Sequence, residues 1–149
     1  MKIGITNDHS AVELKKSVTS YLNDLGYEVI NYGTDSNESA DYPYEAEKLC
    51  IALQNKQVDL GIAICGTGVG ISISCNKFNG IRACCCSEAT SARLCREHND
   101  ANVICFGARV ISNELANDIV RTFVTTQFSN GERHLRRIKM MKEIEDKQK

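Results

Sequence analysis

Residues 64–72 read ICGTGVGIS, so one thiol, Cys65, stands directly ahead of a turn built from Gly66, Thr67, Gly68, Val69 and Gly70. An apolar run leads into this stretch and helical spacing follows it. A strand, a tight glycine turn and a helix would point the first helical N–H groups into one small volume, an arrangement that stabilises negative charge. A thiol beside a helix N-terminus is a competent base or nucleophile. A base next to an anion hole suits proton abstraction alpha to a carbonyl, with the amides holding the resulting enediolate. The plainer reading of Cys65 is a buried structural thiol, and taken alone the residue supports both equally.

The turn does not fit the common cofactor loops. A dinucleotide fingerprint requires G-x-G-x-x-G, and counting from Gly66 or from Gly68 the third glycine position holds Ile71 or Ile73. A Walker loop requires a lysine directly after its last glycine, whereas the next lysine here is Lys77. NAD and ATP are therefore poor candidates, and no cofactor is expected.

Other chemistry-bearing residues fall in neighbouring connecting segments: Asp8 and His9 after the first strand, His98 and Asn99 in EHND after the fourth helix, and Arg109 in GAR after the fifth strand. All are expected at the carboxyl ends of the strands. Each has a structural alternative. Asp8 is a natural helix N-cap, and His98 could serve as a helix end. Tyr42 could be packing alone. Arg133 and Arg137 sit four apart and share a helix face, yet RHLRRIKMMK also reads as a solvated basic stripe, with His134 at the surface.

The elements that must position these residues alternate in period. Apolar runs at 2–6, 27–32, 58–64, 81–86 and 102–107 read as strands. Ala11, Leu14, Val18, Leu22 and Leu25 form the stripe of a first helix closed by Gly26, and further helices are predicted near 43–55, 68–78, 88–98, 112–127 and 132–147. Pro43 marks the entry to the second helix. Strand–helix alternation implies a parallel sheet covered on both faces, because right-handed crossovers place helices on either side. The predicted fold is a three-layer, Rossmann-like α/β sandwich with a five-stranded parallel sheet flanked by helices, one domain over 1–149, with ligands at the carboxyl ends of the strands.

Composition narrows the setting. The chain has 149 residues, 25% of them charged, with a net charge of −1, so no global basic field points to nucleic acid or a membrane surface. The N-terminus lacks the pattern of a secretory leader and no segment approaches a membrane span, which predicts a cytoplasmic protein. The eight cysteines are then expected as reduced thiols, and no C-x-x-C pair occurs among them. Cys84, Cys85 and Cys86 read as a buried strand whose neighbouring side chains point to opposite faces. Three such residues should not converge on one tetrahedral metal, so they are expected to be small hydrophobes and no metal site is predicted.

Six segments in order, NDH at 7–9, DYP at 41–43, CGTGVGISISCNKFNGIRA at 65–83, REHNDANV at 96–103, FGAR at 106–109 and GERHLRR at 131–137, together resemble the ribose-5-phosphate isomerase type B family, whose wider group takes in allose-6-phosphate and galactose-6-phosphate isomerases. The resemblance implies a metal-free aldose–ketose isomerase that interconverts ribose 5-phosphate and ribulose 5-phosphate. It also implies a homodimer or a dimer of dimers, with shared sites at the subunit interface and the 132–147 helix beside it. Carried onto this chain, Cys65 is the base moving a proton between C1 and C2, where some members use a glutamate at the position of Ile71. Gly66, Thr67, Gly68, Val69 and Gly70 form the anion hole. His98, helped by Asp8 and Thr67, opens the furanose ring; Asn99 and Tyr42 line the sugar; His9, Arg109, Arg133 and Arg137 hold the phosphate. The alternatives are a six-carbon sugar 6-phosphate as substrate, a non-catalytic sugar-phosphate binding subunit, and, least favoured, a thiol redox or metal-binding protein.

Overall fold

The computed structural model describes residues 1–148. Its centre is a five-stranded sheet in the order β2-β1-β3-β5-β4, with every neighbouring pair parallel. The strands are β1 (Lys2–Asn7), β2 (Glu28–Asn31), β3 (Leu60–Cys65), β4 (Ala83–Cys85) and β5 (Val103–Gly107). The helices are α1 (Val12–Asp24), entered through a 3-10 turn at His9–Ala11, then α2 (Tyr42–Gln54), α3 (Val69–Cys75), α4 (Ala89–Asn99), α5 (Asn113–Thr125) and α6 (Glu132–Asp146). The Rossmann-like sandwich read from the sequence is the fold observed. No helix among the described residues is long and apolar enough to cross a membrane.

Strand alternation divides the interior in two. Ile3, Ile5, Ile62, Ile64, Ile104 and Phe106 point to one face, where α1, α4 and α5 cover them with Val18, Leu22, Cys95, Ile119 and Phe123. Ala63, Cys65, Val103 and Cys105 point to the other, beneath Leu49 and Cys50 of α2 and Ile71 and Cys75 of α3. β3 is buried at all six residues because it lies between β1 and β5 and under helices on both faces. α6 has no buried residue and lies outside α4.

Several boundaries differ from the sequence reading for local reasons. α1 ends as expected: Gly26 adopts φ +89°, and its N–H and that of Tyr27 donate to the carbonyls of Asn23 and Leu22 at 2.9 and 3.0 Å. Leu25, counted in the stripe, instead lies past the helix and is 45% exposed. Pro43 is the second residue of α2. α3 is shorter than predicted, Val69–Cys75 rather than 68–78.

β4 is the largest departure. It holds only three residues at the sheet edge rather than a buried run over 81–86, and Cys85 is exposed. Cys84 and Cys86, two positions apart, share one face, and Cys95 of α4 joins them. Those three sulfurs lie within 4.8 Å of one another, while Cys85 faces the other way; the three consecutive cysteines do not converge, but two of them meet a third thiol from another element.

Candidate active site

The chain switches sides of the sheet after β2, so the crevice between the carboxyl ends of β1 and β3 is where such folds bind ligands. Asp8 leaves β1 there, its amide donating to the Ile64 carbonyl at 3.1 Å. Its carboxylate accepts from the Ser10 amide at 2.9 Å and from the Ser10 hydroxyl at 2.5 Å, so Asp8 caps the turn into α1. The Ala40 amide donates to Nδ1 of His9 at 3.1 Å. The Ala40 carbonyl lies 3.4 Å from the same nitrogen, so the ring is held through Nδ1 by one backbone residue.

Cys65 is the last residue of β3 and is 4% exposed. The Gly68 N–H donates to its Sγ at 3.1 Å, which fixes the sulfur at the mouth of the glycine turn. Gly68 adopts φ +82°, and a Cβ there would lie 2.7 Å from the Phe106 backbone, so both conformation and space require glycine. The Val69 N–H donates to the Thr67 hydroxyl at 3.3 Å. Of the five residues proposed for the anion hole, Gly68 and Val69 thus have their amides turned to Cys65 and Thr67. Gly70, in the first turn of α3, has no acceptor carbonyl within the helix by position.

Two further candidates close on this turn. A Cβ on Gly70 would lie 2.6 Å from the Tyr42 ring, so that ring, at the start of α2, covers the beginning of α3. The Arg109 amide donates to the Gly66 carbonyl at 3.0 Å, and its guanidinium lies 3.1 Å from where a Gly66 Cβ would stand. Asp8, His9, Tyr42, Cys65, the turn 66–70 and Arg109 therefore gather at one end of the sheet. They combine a thiol, backbone amides, an imidazole and a guanidinium, a set suited to moving a proton on an anionic substrate.

His98 and Asn99 do not join them. A helix runs back antiparallel to the strand before it, and α4, 11 residues and about 16 Å long, carries its last turn to the opposite end. There Nε of Arg82, just ahead of β4, donates to the carbonyls of Asn99 and Asp100, both at 3.0 Å. α4 also covers the face of the sheet away from Cys65. The expectation that EHND lies at the carboxyl ends of the strands is corrected for that reason.

A second group forms around His98. Its ring centroid lies 4.3 Å from that of His134. The Ser129 hydroxyl is 2.8 Å from His134 Nδ1, and the Ser129 amide donates to the Glu97 carbonyl at 3.1 Å, tying the start of α6 to α4. Partial burial lowers the His134 pKa below its ordinary value, helped by the positive charge of His98, Arg133 and Arg137 and opposed by Glu97. Arg133 and Arg137 are exposed on the same helix. His134, read from the sequence as surface, is half-buried in this group, and the signal that could have found it is its place between two arginines on one helical turn. One chain therefore carries two clusters of candidate residues, separated by both the length and the thickness of the sheet.

The sequence model of the family described as Ribose/Galactose Isomerase matches residues 3–141. A protein of Escherichia coli strain K12 named ribose-5-phosphate isomerase B is 47% identical over 98% of this chain and 97% of its own. A D-erythrulose-4-phosphate isomerase of Pectobacterium atrosepticum is 40% identical over 88% of this chain and 87% of its own. The structure of a Clostridium thermocellum ribose-5-phosphate isomerase B superposes with a TM-score of 0.97 at 48% identity, covering 100% of both chains.

Proposed function

The chain belongs to the ribose/galactose isomerase family, and from that premise we propose that it interconverts ribose 5-phosphate and ribulose 5-phosphate through an enediolate, with Cys65 as the base. The thiolate of Cys65 takes the proton from C2 of the open-chain aldose. The C2–H electron pair becomes the C1–C2 double bond, and the carbonyl pair moves onto O1. A proton passes from the C2 hydroxyl to O1, and the thiol returns its proton to C1, so no electron enters or leaves. Amides of the 66–70 turn hold the enediolate charge. The observation that carries this reading is the 3.1 Å hydrogen bond from Gly68 N–H to Cys65 Sγ, which holds the sulfur at the mouth of the glycine turn.

Ring opening precedes enolisation and is assigned to His98, which moves a proton between the anomeric hydroxyl and the ring oxygen; Asp8 and Thr67 assist, and Asn99 and Tyr42 line the sugar. Because His98 and Cys65 of one chain lie at opposite ends of the sheet, the working site combines the Cys65 cluster of one copy with the His98 cluster of a second. A two-fold dimer makes two such sites, and pairing of dimers gives a tetramer. His9 and Arg109 then meet Arg133 and Arg137 from the partner around the phosphate. α6 presents Leu135, Met140, Met141 and Ile144 as apolar surface for that assembly. The eight free thiols suit a cytoplasmic enzyme.

Incubation with ribose 5-phosphate, with and without a chelator, tests the reaction. Ketose formation that survives chelation is expected; its absence contradicts the proposal. Allose 6-phosphate, galactose 6-phosphate and erythrulose 4-phosphate in parallel define the chain length accepted.

A further inference from the structure

We propose that Cys84, Cys86 and Cys95 form a binding site for a soft, thiophilic metal ion of the Zn(II), Cd(II) or Cu(I) class, separate from Cys65. The three Sγ atoms lie within 4.8 Å of one another, and the Cys84 and Cys86 sulfurs are 3.4 Å apart. Three thiolates at about 2.3 Å from one ion stand about 3.8 Å apart in a tetrahedral arrangement and about 4.0 Å apart in a trigonal one. The Cys84–Cys86 pair is closer than either spacing and no pair exceeds 4.8 Å, so small side-chain rotations suffice to seat an ion.

Its parts come from elements already held in place. Cys84 of β4 and Cys86, the residue just past its end, turn to the side of α4, while Cys85 between them faces the opposite way, its Sγ 3.9 Å from the Thr67 carbonyl. α4 supplies Cys95 from its buried side, where Ala92 is the other buried residue. Cys86 and Cys95 are 5% and 4% exposed, so two of the three sulfurs stand in an apolar setting. Cys84 and Cys95 line a cleft of about 430 Å³ between β4, α4 and α6, which gives an ion a path from solvent. The side-chain donors of the trio are all sulfur, so hard cations such as Mg²⁺ and Ca²⁺ are poor occupants, whereas thiolates select soft ions. Coordination releases the thiol protons to solvent, so affinity rises with pH. By contrast Cys50, Cys75 and Cys105 are fully buried.

Titration of the full-length protein with Cd(II) under a non-thiol reductant tests the site. A thiolate-to-metal charge-transfer absorption saturating at one equivalent per chain is expected, with affinity falling at least about tenfold in Cys84→Ser. Cys84 is half-buried, so this variant is the least disruptive of the three. Cys85→Ser, on the opposite side of the same strand, should bind as the wild type does. Cadmium NMR of the unmodified protein gives a readout that needs no variant, with a resonance in the sulfur-ligated range expected. No saturating band, equal binding by Cys84→Ser and the wild type, equal losses in Cys84→Ser and Cys85→Ser, or a cadmium resonance typical of oxygen and nitrogen ligands would each overturn the proposal.

Discussion

The imidazole rings of His98 and His134 lie 4.3 Å apart, centroid to centroid, tilted by 35°, and so join the last turn of α4 to the first turn of α6. Through this contact the ring assigned to furanose opening shares its surroundings with the arginines assigned to the phosphate.

His134 should therefore report phosphate binding. In the free protein it titrates below its ordinary value of 6.5, first from partial burial and then from His98, Arg133 and Arg137. An anion between the arginines offsets their charge, so the midpoint should rise when ribose 5-phosphate is added. For stability the sign is fixed as well. Between the depressed and the ordinary value the folded chain binds fewer protons at this site than the unfolded one, so stability decreases as pH falls through that window. Imidazole NMR checks both, and a midpoint unmoved by saturating substrate contradicts the phosphate assignment.

Cys65→Ala should fold normally, since one sulfur at a strand end is a small volume. It should lose roughly 10²–10⁴-fold in turnover, the usual contribution of a general base. Turnover near that of the wild type would remove Cys65 from the chemistry.

Mixing inactive variants tests the shared site. Cys65→Ala and His98→Asn homodimers should both be impaired in aldose consumption. After subunit exchange, a mixed dimer has one site with both groups intact, so an equimolar mixture should recover about a quarter of the wild-type rate. No recovery, with exchange verified by mass, would place both residues in one chain's site.

Arg133→Ala and Arg137→Ala should each lower kcat/KM for ribose 5-phosphate by roughly one to two powers of ten, since hydrogen bonds between charged groups contribute about 1.5–3 kcal/mol. Lysine should rescue only in part because it lacks the planar fork. Lys142→Ala, whose ammonium pairs with Glu145 and Asp146, is the control and should leave the kinetics unchanged. Arginine variants that match this control would make the basic face a solvated stripe.

Gly68→Ala should destabilise the fold by at least about 1–2 kcal/mol, the cost of a left-handed backbone for a residue with a Cβ. The 2.7 Å approach to the Phe106 backbone must also be relieved, which moves the amide away from Cys65. Denaturant unfolding and kcat should fall together; unchanged values in both would show that the turn tolerates the shift.

The half of the site around Cys65 was legible because its signals are local. Gly68 announces a turn, Gly26 a helix end, and Cys65 follows an apolar run that reads as a strand. The half around His98 was misplaced because a connection after a helix and one after a strand have similar composition, yet they lie at opposite ends of a parallel sheet. The pairing of His98 with His134 depends on where α6 returns, which no spacing encodes. Likewise the alternation of Cys84, Cys85 and Cys86 was visible, but that β4 sits at an edge beside Cys95 follows from strand order. The residues Ala92 and Cys95, one turn apart on the apolar side of α4, were the available hint.

β5 is the last strand synthesised, yet it lies between β3 and β4. Until residue 107 has left the ribosome, β3 has one unpaired edge although all six of its residues are apolar or glycine and become buried, and β4 has no neighbour at all. A chain stalled before that point displays an apolar strand edge, the kind of surface that recruits chaperones or aggregates. Insertion of β5 removes the edge and, in the same step, brings Arg109 to the Gly66 carbonyl. Covering the inner edge of β3 and completing the Cys65 loop thus depend on the same strand, so neither is finished without the other.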